Sequence, residues 1–268
     1  MTLAAGIIAP HPPVLIEQIG GKQLLEVKNT INALEKISAI VADLKPDTLI
    51  FISPHREITE GHFAIDMTPK FNGSFEKFGT GDLKLVIEND RQIAEEIYQS
   101  CARFDLPVSK SVGANVDNLD WGVLVPYWFI GQGLPIVSLA ISDLANEEHY
   151  RLGQAIYAAA STSEKNIVFV ASGDLSHRLT HEGPYGFSAL GSVFDEKVKE
   201  IVASGRLSEL LNIDNSLSVP AAECGLRSFV ALAGLLSKYE IETNILSYEG
   251  PFGIGYLVAS LMVKGKGG

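Results

Sequence analysis

Three apolar runs in this chain each lead to a histidine, and no other feature restricts the fold as much. Thr48-Leu49-Ile50-Phe51-Ile52-Ser53 runs into Pro54-His55, and Ala5-Gly6-Ile7-Ile8-Ala9 runs into Pro10-His11. Ile167-Val168-Phe169-Val170-Ala171-Ser172 leads through Gly173-Asp174-Leu175-Ser176 to His177. Unbroken runs of β-branched and aromatic residues read as strands buried on both faces, the pattern of a parallel sheet. The prolines stop the ladder because they lack an N–H. Ligands of open α/β sheets bind outside the carboxyl ends of the strands, so His11, His55 and His177 are expected to meet at one sheet edge.

The segments between these strands fit that scheme. Leu24, Val27, Ile31, Leu34, Ile37, Ile40, Val41 and Leu44 recur at three- and four-residue spacing, which predicts an amphipathic helix ending before Pro46. Strand, helix and the 48–53 strand then form a βαβ crossover with His11 and His55 on the same edge. Residues 62–88 read as loops and an edge hairpin. Asp90 is placed to cap a helix through about Phe104. A polar loop follows at 115–122, then an apolar segment, Val123 to Ile130, that Pro126 interrupts. Pro135–Ile141 reads as a strand, and Asn146–Ser161 and Ser188–Ala203 as helices. Val219–Tyr239 reads as one helix with Pro220 in its first turn. Ile241–Tyr248 and Phe252–Val263 read as closing strands around Gly250-Pro251. The expected fold class is α/β: a single three-layer α/β/α domain over residues 1–263 with a mainly parallel central sheet, and a flexible tail at 264–268.

Charge and cysteine usage narrow the partners. With 32 acidic against 21 basic residues the net charge is −11, which argues against nucleic acid or an anionic membrane as partner. Two cysteines, Cys101 and Cys224, are too few for a disulfide framework, and the first apolar run lacks a basic leader and breaks at Pro10, so a cytoplasmic protein is expected.

Two neutral imidazoles and one carboxylate on one face of a metal leave the opposite positions open for substrate and dioxygen, as in the Fe(II) facial triad. His11 and His55 can supply the imidazoles. Glu223, in Ala221-Ala222-Glu223-Cys224-Gly225, sits among small residues where no structural need for a glutamate is evident, and is the chosen carboxylate. His177 is then free for acid/base work, since an imidazole titrates near neutral pH. Asp174 either orients His177 or closes a turn. Cys224 reads as a small buried thiol. The i, i+4 pair His177/His181 lacks the glutamate of a helical zinc motif and is followed by Gly183-Pro184, so it reads as coincidence. His62 and His149 read as surface residues, and the glycines of 250–255 as a backbone turn. Arg56, Arg178 and Arg227 are candidate anchors for an acidic substrate.

Pro10-His11-Pro12-Pro13, Ile52-Ser53-Pro54-His55, Ser172-Gly173-Asp174-Leu175-Ser176-His177 and Glu223-Cys224-Gly225, in this order and over nearly the whole chain, resemble the class III (LigB-type) extradiol ring-cleavage dioxygenase superfamily. Within it the chain is most similar to the branch associated with the Memo, AMME-domain and radical-SAM group. The resemblance implies Fe(II) held at positions matching His11, His55 and Glu223, and a general base matching His177 that acts on a catechol. It also implies a homodimer and an AMME-type domain protein as partners. One departure stands out: where these dioxygenases often carry an Asp-His-Gly, this chain has Leu119-Asp120-Trp121-Gly122, so Asp120 occupies about the place of a substrate-facing histidine. The alternatives on the same site are a zinc-dependent hydrolase, with His177 or Asp120 as base, and a non-catalytic binding module.

Overall fold

A computed structural model describes residues 2–56, 58–111 and 119–267; residues 115–118 of the expected polar loop lie outside them. Strand β2 (Thr48–Ser53) is buried along its whole length. Its alternate residues serve two cores: Leu49 and Phe51 pack on one side of the sheet, Ile50 and Ile52 on the other. This period of two explains why both faces must be apolar. The sheet has eight strands in the order β6-β3-β7-β2-β8-β1-β10-β9. These are β6 (Val108–Ser111), β3 (Phe63–Asp66), β7 (Ile136–Ala140), β8 (Asn166–Ser172), β1 (Thr2–Ala9), β10 (Tyr256–Lys266) and β9 (Tyr239–Glu249) around β2. Its central four strands, β7, β2, β8 and β1, are parallel, whereas β10 and β9 add antiparallel at one edge. After the short helix α1 (Glu17–Gly20), helices α2 (Lys28–Leu44) and α4 (Trp121–Ile130) cover one face. The other face carries α3 (Arg91–Arg103), α5 (Asn146–Thr162), α6 (Ala189–Ser204) and α8 (Leu226–Leu236). The result is the three-layer α/β/α arrangement.

Strands β1 and β2 are parallel but not neighbours, because β8 lies between them. Ala9 pairs with Ser172 and Ile52 with Ala171, so the loops bearing His11, His55 and His177 leave three adjacent strands at the same edge.

Several elements differ from the sequence reading. Helix α2 starts at Lys28 rather than at Leu24. The Glu249 carboxylate accepts from Thr30 N (2.7 Å), Thr30 Oγ (2.6 Å) and Asn29 Nδ2 (3.0 Å), capping its first turn from across the fold. Residues 62–88 divide: β3 joins the main sheet, while β4 (Lys70–Phe75) and β5 (Thr80–Glu88) form a separate hairpin that buries Phe71, Phe75 and Ile87 near α4. The apolar segment around Pro126 is helical. The expected single helix over 219–239 is broken into α7 (Asn215–Ala221) and α8, so Pro220 ends one helix instead of starting the other. Ala222 is left-handed at φ 53°, and the Cys224 and Gly225 amides turn outward to donate to Asp174 O at 3.4 and 3.1 Å. That tertiary pairing replaces two helical hydrogen bonds. His149, expected at the surface, is fully buried. It lies in the first turns of α5, where its Nδ1 donates to Ala145 O (2.9 Å) and its Nε2 accepts from Ser142 N (3.3 Å). Burial holds its pKa down to about 4. Strand β10 continues to Lys266, into the stretch expected to be tail. Among the described residues no helix is long and apolar enough to cross a membrane.

Candidate metal centre and active-site cleft

The geometry at the sheet edge starts from Ser53 and Ser172, the last residues of β2 and β8. His55 N donates to Ser53 Oγ (3.2 Å), which donates in turn to Asp120 Oδ1 (2.6 Å). His11 Nδ1 lies 2.8 Å from Ser172 Oγ, and Ser172 Oγ donates to Gly122 O. Gly122 N donates to Asp120 Oδ1 at 2.7 Å, closing the turn that starts α4. Both histidines are thus tied through serines to one turn, Asp120-Trp121-Gly122. There is no room for a side chain at Gly122: a Cβ there would lie 2.3 Å from Ser53 Oγ.

The two imidazoles meet edge to face, with Nε2 atoms 2.8 Å apart and ring centroids 4.5 Å apart. Trp121 stacks on His55 with ring centroids 4.2 Å apart. Burial first, and the neighbouring imidazoles second, hold the pKa of both His11 and His55 down to about 3, so both are neutral donors near pH 7. Such a pair suits a borderline metal ion. Cys224 Sγ lies 3.6 Å from His11 Nε2. His11, His55 and Cys224 bring three ligand atoms within 4.8 Å of one another, and Asp174, His177 and Cys224 form a second such group. Burial raises the Cys224 thiol well above its ordinary value. Its sulfur accepts from Asp174 N at 3.3 Å.

Glu223 is placed differently. Its Oε2 accepts from Leu226 N at 2.6 Å, in the first turn of α8, and burial lifts its pKa to about 7. Asp174 is buried; its Oδ1 accepts from His11 N (3.0 Å), and burial raises its pKa to about 6. It therefore fastens the His11 loop. His177 donates from Nδ1 to Leu175 O (3.1 Å) and from its backbone N to Ala221 O (3.0 Å). That leaves Nε2 as the basic nitrogen. The 177–188 loop contains no helix, so the His177/His181 spacing has no structural meaning.

The site opens into a cleft of about 790 Å³ lined by His55, Arg56, Asp120, Trp121, Phe78 and Lys77, among others. Arg56, alone of the three candidate arginines, lines it, and it pairs with the buried Asp66. His62 lines the cleft from its half-exposed position. Asp120 is half-buried, and burial raises its pKa. Sequence reasoning missed Ser53, Ser172 and the close approach of Cys224. The available signal was the serine that closes both histidine-bearing apolar runs.

Comparison with known proteins gives the family and the fold. The family described as the catalytic LigB subunit of aromatic ring-opening dioxygenase matches residues 5–259. A protein of Clostridium acetobutylicum is 31% identical over 271 residues, covering 97% of this chain but only 58% of that protein. The chain therefore spans little more than half the length of that relative. The 2-aminophenol 1,6-dioxygenase beta subunit of a Pseudomonas species is 26% identical over 79% of this chain and 77% of that protein. Among solved structures, an uncharacterised Escherichia coli protein shares the fold with a TM-score of 0.63 at 17% identity, covering 97% of this chain and 99% of that one.

Proposed function

Since this chain belongs to the family of the catalytic LigB subunit of aromatic ring-opening dioxygenases, we propose that it is an Fe(II)-dependent enzyme that opens a ring bearing two adjacent donor groups, a catechol or an aminophenol. The observation that carries this reading is the convergence of the His11 and His55 Nε2 atoms, 2.8 Å apart, beside a cleft of about 790 Å³. Clefts of this size hold small-molecule ligands. When bound, the metal supplies a Lewis-acid centre for the substrate's two donor atoms and for dioxygen. His11 and His55 would hold it, with Glu223 or Cys224 as third ligand. Cys224 lies 3.6 Å from His11 Nε2, while Glu223 accepts from Leu226 N at Oε2.

The remaining work falls to the chain's own groups. His177, its Nδ1 hydrogen committed to Leu175 O, takes a ring hydroxyl proton at Nε2 and later returns it. Trp121 and Phe78 offer aromatic faces in the cleft. Asp120, with its raised pKa, serves as hydrogen-bond partner or acid, and in its neutral form it does not repel an anionic ring.

Cys224 favours one second reading. Zinc takes sulfur and nitrogen ligands and keeps a position open in hydrolytic sites; there His177 or Asp120 would take a proton from water. Elemental analysis of anaerobically purified wild type, His11→Ala, Glu223→Gln and Cys224→Ser tests both. About one equivalent of iron, lost in His11→Ala, with catechol-dependent oxygen uptake, supports the dioxygenase. Zinc with oxygen-independent turnover supports the hydrolase. No metal after reconstitution sinks both, and leaves a binding module whose partner is an AMME-type domain protein.

A further inference from the structure

Helix α4 contains a proline, and its consequence reaches the metal site. In an α-helix the N–H of residue i bonds the carbonyl of residue i−4. Residue 126 is Pro126, which has no N–H, so the carbonyl of Gly122 has no donor at that rung. Ser172 Oγ supplies one from β8. A serine hydroxyl carries a single hydrogen and a carbonyl oxygen can only accept. Once that hydrogen is committed to Gly122 O, the Ser172 oxygen has only lone pairs to offer His11 Nδ1, 2.8 Å away. The hydrogen between them must then belong to the imidazole.

We infer that Ser172, held by the carbonyl that Pro126 leaves free, is a positioning residue that fixes His11 in its Nδ1–H tautomer and turns the bare Nε2 toward His55. The neighbours within contact of His11 Nε2 suit a lone pair: His55 Nε2 lies 2.8 Å away and the Cys224 thiol sulfur 3.6 Å away, both able to donate in the metal-free protein, while the Asp174 Oδ2, at 3.7 Å, lies beyond hydrogen-bond distance. The device is asymmetric. His55 is tied by its backbone N–H, not by its ring, to Ser53, so only one of the two imidazoles is preset by a serine.

The consequence for metal binding rests on the reading of His11 as a ligand, but the tautomer can be read without any metal. Long-range proton–nitrogen correlation spectra of metal-free protein labelled with ¹⁵N-histidine should show His11 with its hydrogen on Nδ1. Ser172→Ala should show a mixture or the Nε2–H form, and Ser172→Thr, which keeps the hydroxyl, should retain the wild-type pattern. Zn²⁺ affinity should fall about 10- to 100-fold in Ser172→Ala, the usual scale for losing such a supporting hydrogen bond. His11 found as Nε2–H in the wild type overturns the inference whether or not the variants fold. So does a Ser172→Ala protein with unchanged tautomer or, where the wild type binds Zn²⁺, with unchanged Zn²⁺ affinity. The expected tautomer and its loss in Ser172→Ala, in a wild type that takes up no metal, would support the inference and sink the metal reading alone.

Discussion

Replacing Asp195 by Asn should remove one component of the pH dependence of stability, lying between about pH 4 and pH 6. Asp195 lies on α6, fully buried, and accepts from Ser176 N at Oδ1 (2.8 Å) and from Tyr248 O–H at Oδ2 (2.6 Å). Despite these bonds, burial dominates and raises its pKa from 3.8 to about 6. The folded protein therefore binds this proton more tightly than the unfolded chain does. The resulting penalty is absent below 3.8, grows as the pH rises to about 6 and is complete above it. At about 1.36 kcal/mol per pH unit it amounts to about 3 kcal/mol. Asn is neutral throughout, so the stability of Asp195→Asn relative to wild type should rise by about that amount between pH 4 and pH 7. In Tm this is about 6–12 °C for a domain of this size. Thermal or urea unfolding of both proteins from pH 4 to pH 8 measures the gap. Asp174 and Glu223, also raised by burial, are present in both proteins and cancel. A constant offset is expected as well, because an amide nitrogen cannot accept from Tyr248. A gap that stays flat from pH 4 to pH 8 would refute the reasoning.

Two further perturbations test the packing and the site. A Cβ on Gly153 would lie 1.9 Å from Ala231 O and 2.6 Å from Leu235 N, because α5 and α8 cross backbone to backbone; Gly153→Ala should cost about 1–3 kcal/mol or more in urea unfolding, and a loss under about 0.5 kcal/mol would contradict that crossing. Trp121 stacks on His55 whereas Trp128 packs edge-on against Phe75, so a fluorescence change on Zn²⁺ titration should vanish in Trp121→Phe and persist in Trp128→Phe; the reverse pattern would place the metal elsewhere.

The strands and the convergence of histidines were legible because they depend on local composition: runs such as Ile167–Ala171 admit little besides a doubly buried strand. What was not legible depends on partners distant in sequence. Residues 219–239 have a helical pattern throughout, and what interrupts it is distant in sequence: Cys224 and Gly225 donate to Asp174 O, and Ala221 O accepts from His177 N and Ser176 Oγ. That break brings the Cys224 sulfur to within 3.6 Å of His11 Nε2 and commits Glu223 to Leu226 N–H. His149 is polar and begins a helix, so it reads as exposed; the sheet and Phe63, against which it packs at 5.1 Å, are what bury it. Ser53 and Ser172 are ordinary strand-end residues until the turn at Gly122 is placed beside them.

The insertion of β8 between β1 and β2 also sets an order in time. A chain made from its N-terminus finishes β1 and β2 within its first 53 residues, yet the two do not pair with each other; the strand that joins them, β8, ends at Ser172. At synthesis rates of about 5–20 residues per second, these two apolar strands wait roughly 6–24 s for their shared neighbour. During that interval the first half of the nascent protein carries unpaired strand edges, the form of backbone most prone to join the wrong partner. The loops bearing His11 and His55 take their fixed spacing only once β8 lies between β1 and β2, so the pairing of these two histidines is a late event of folding.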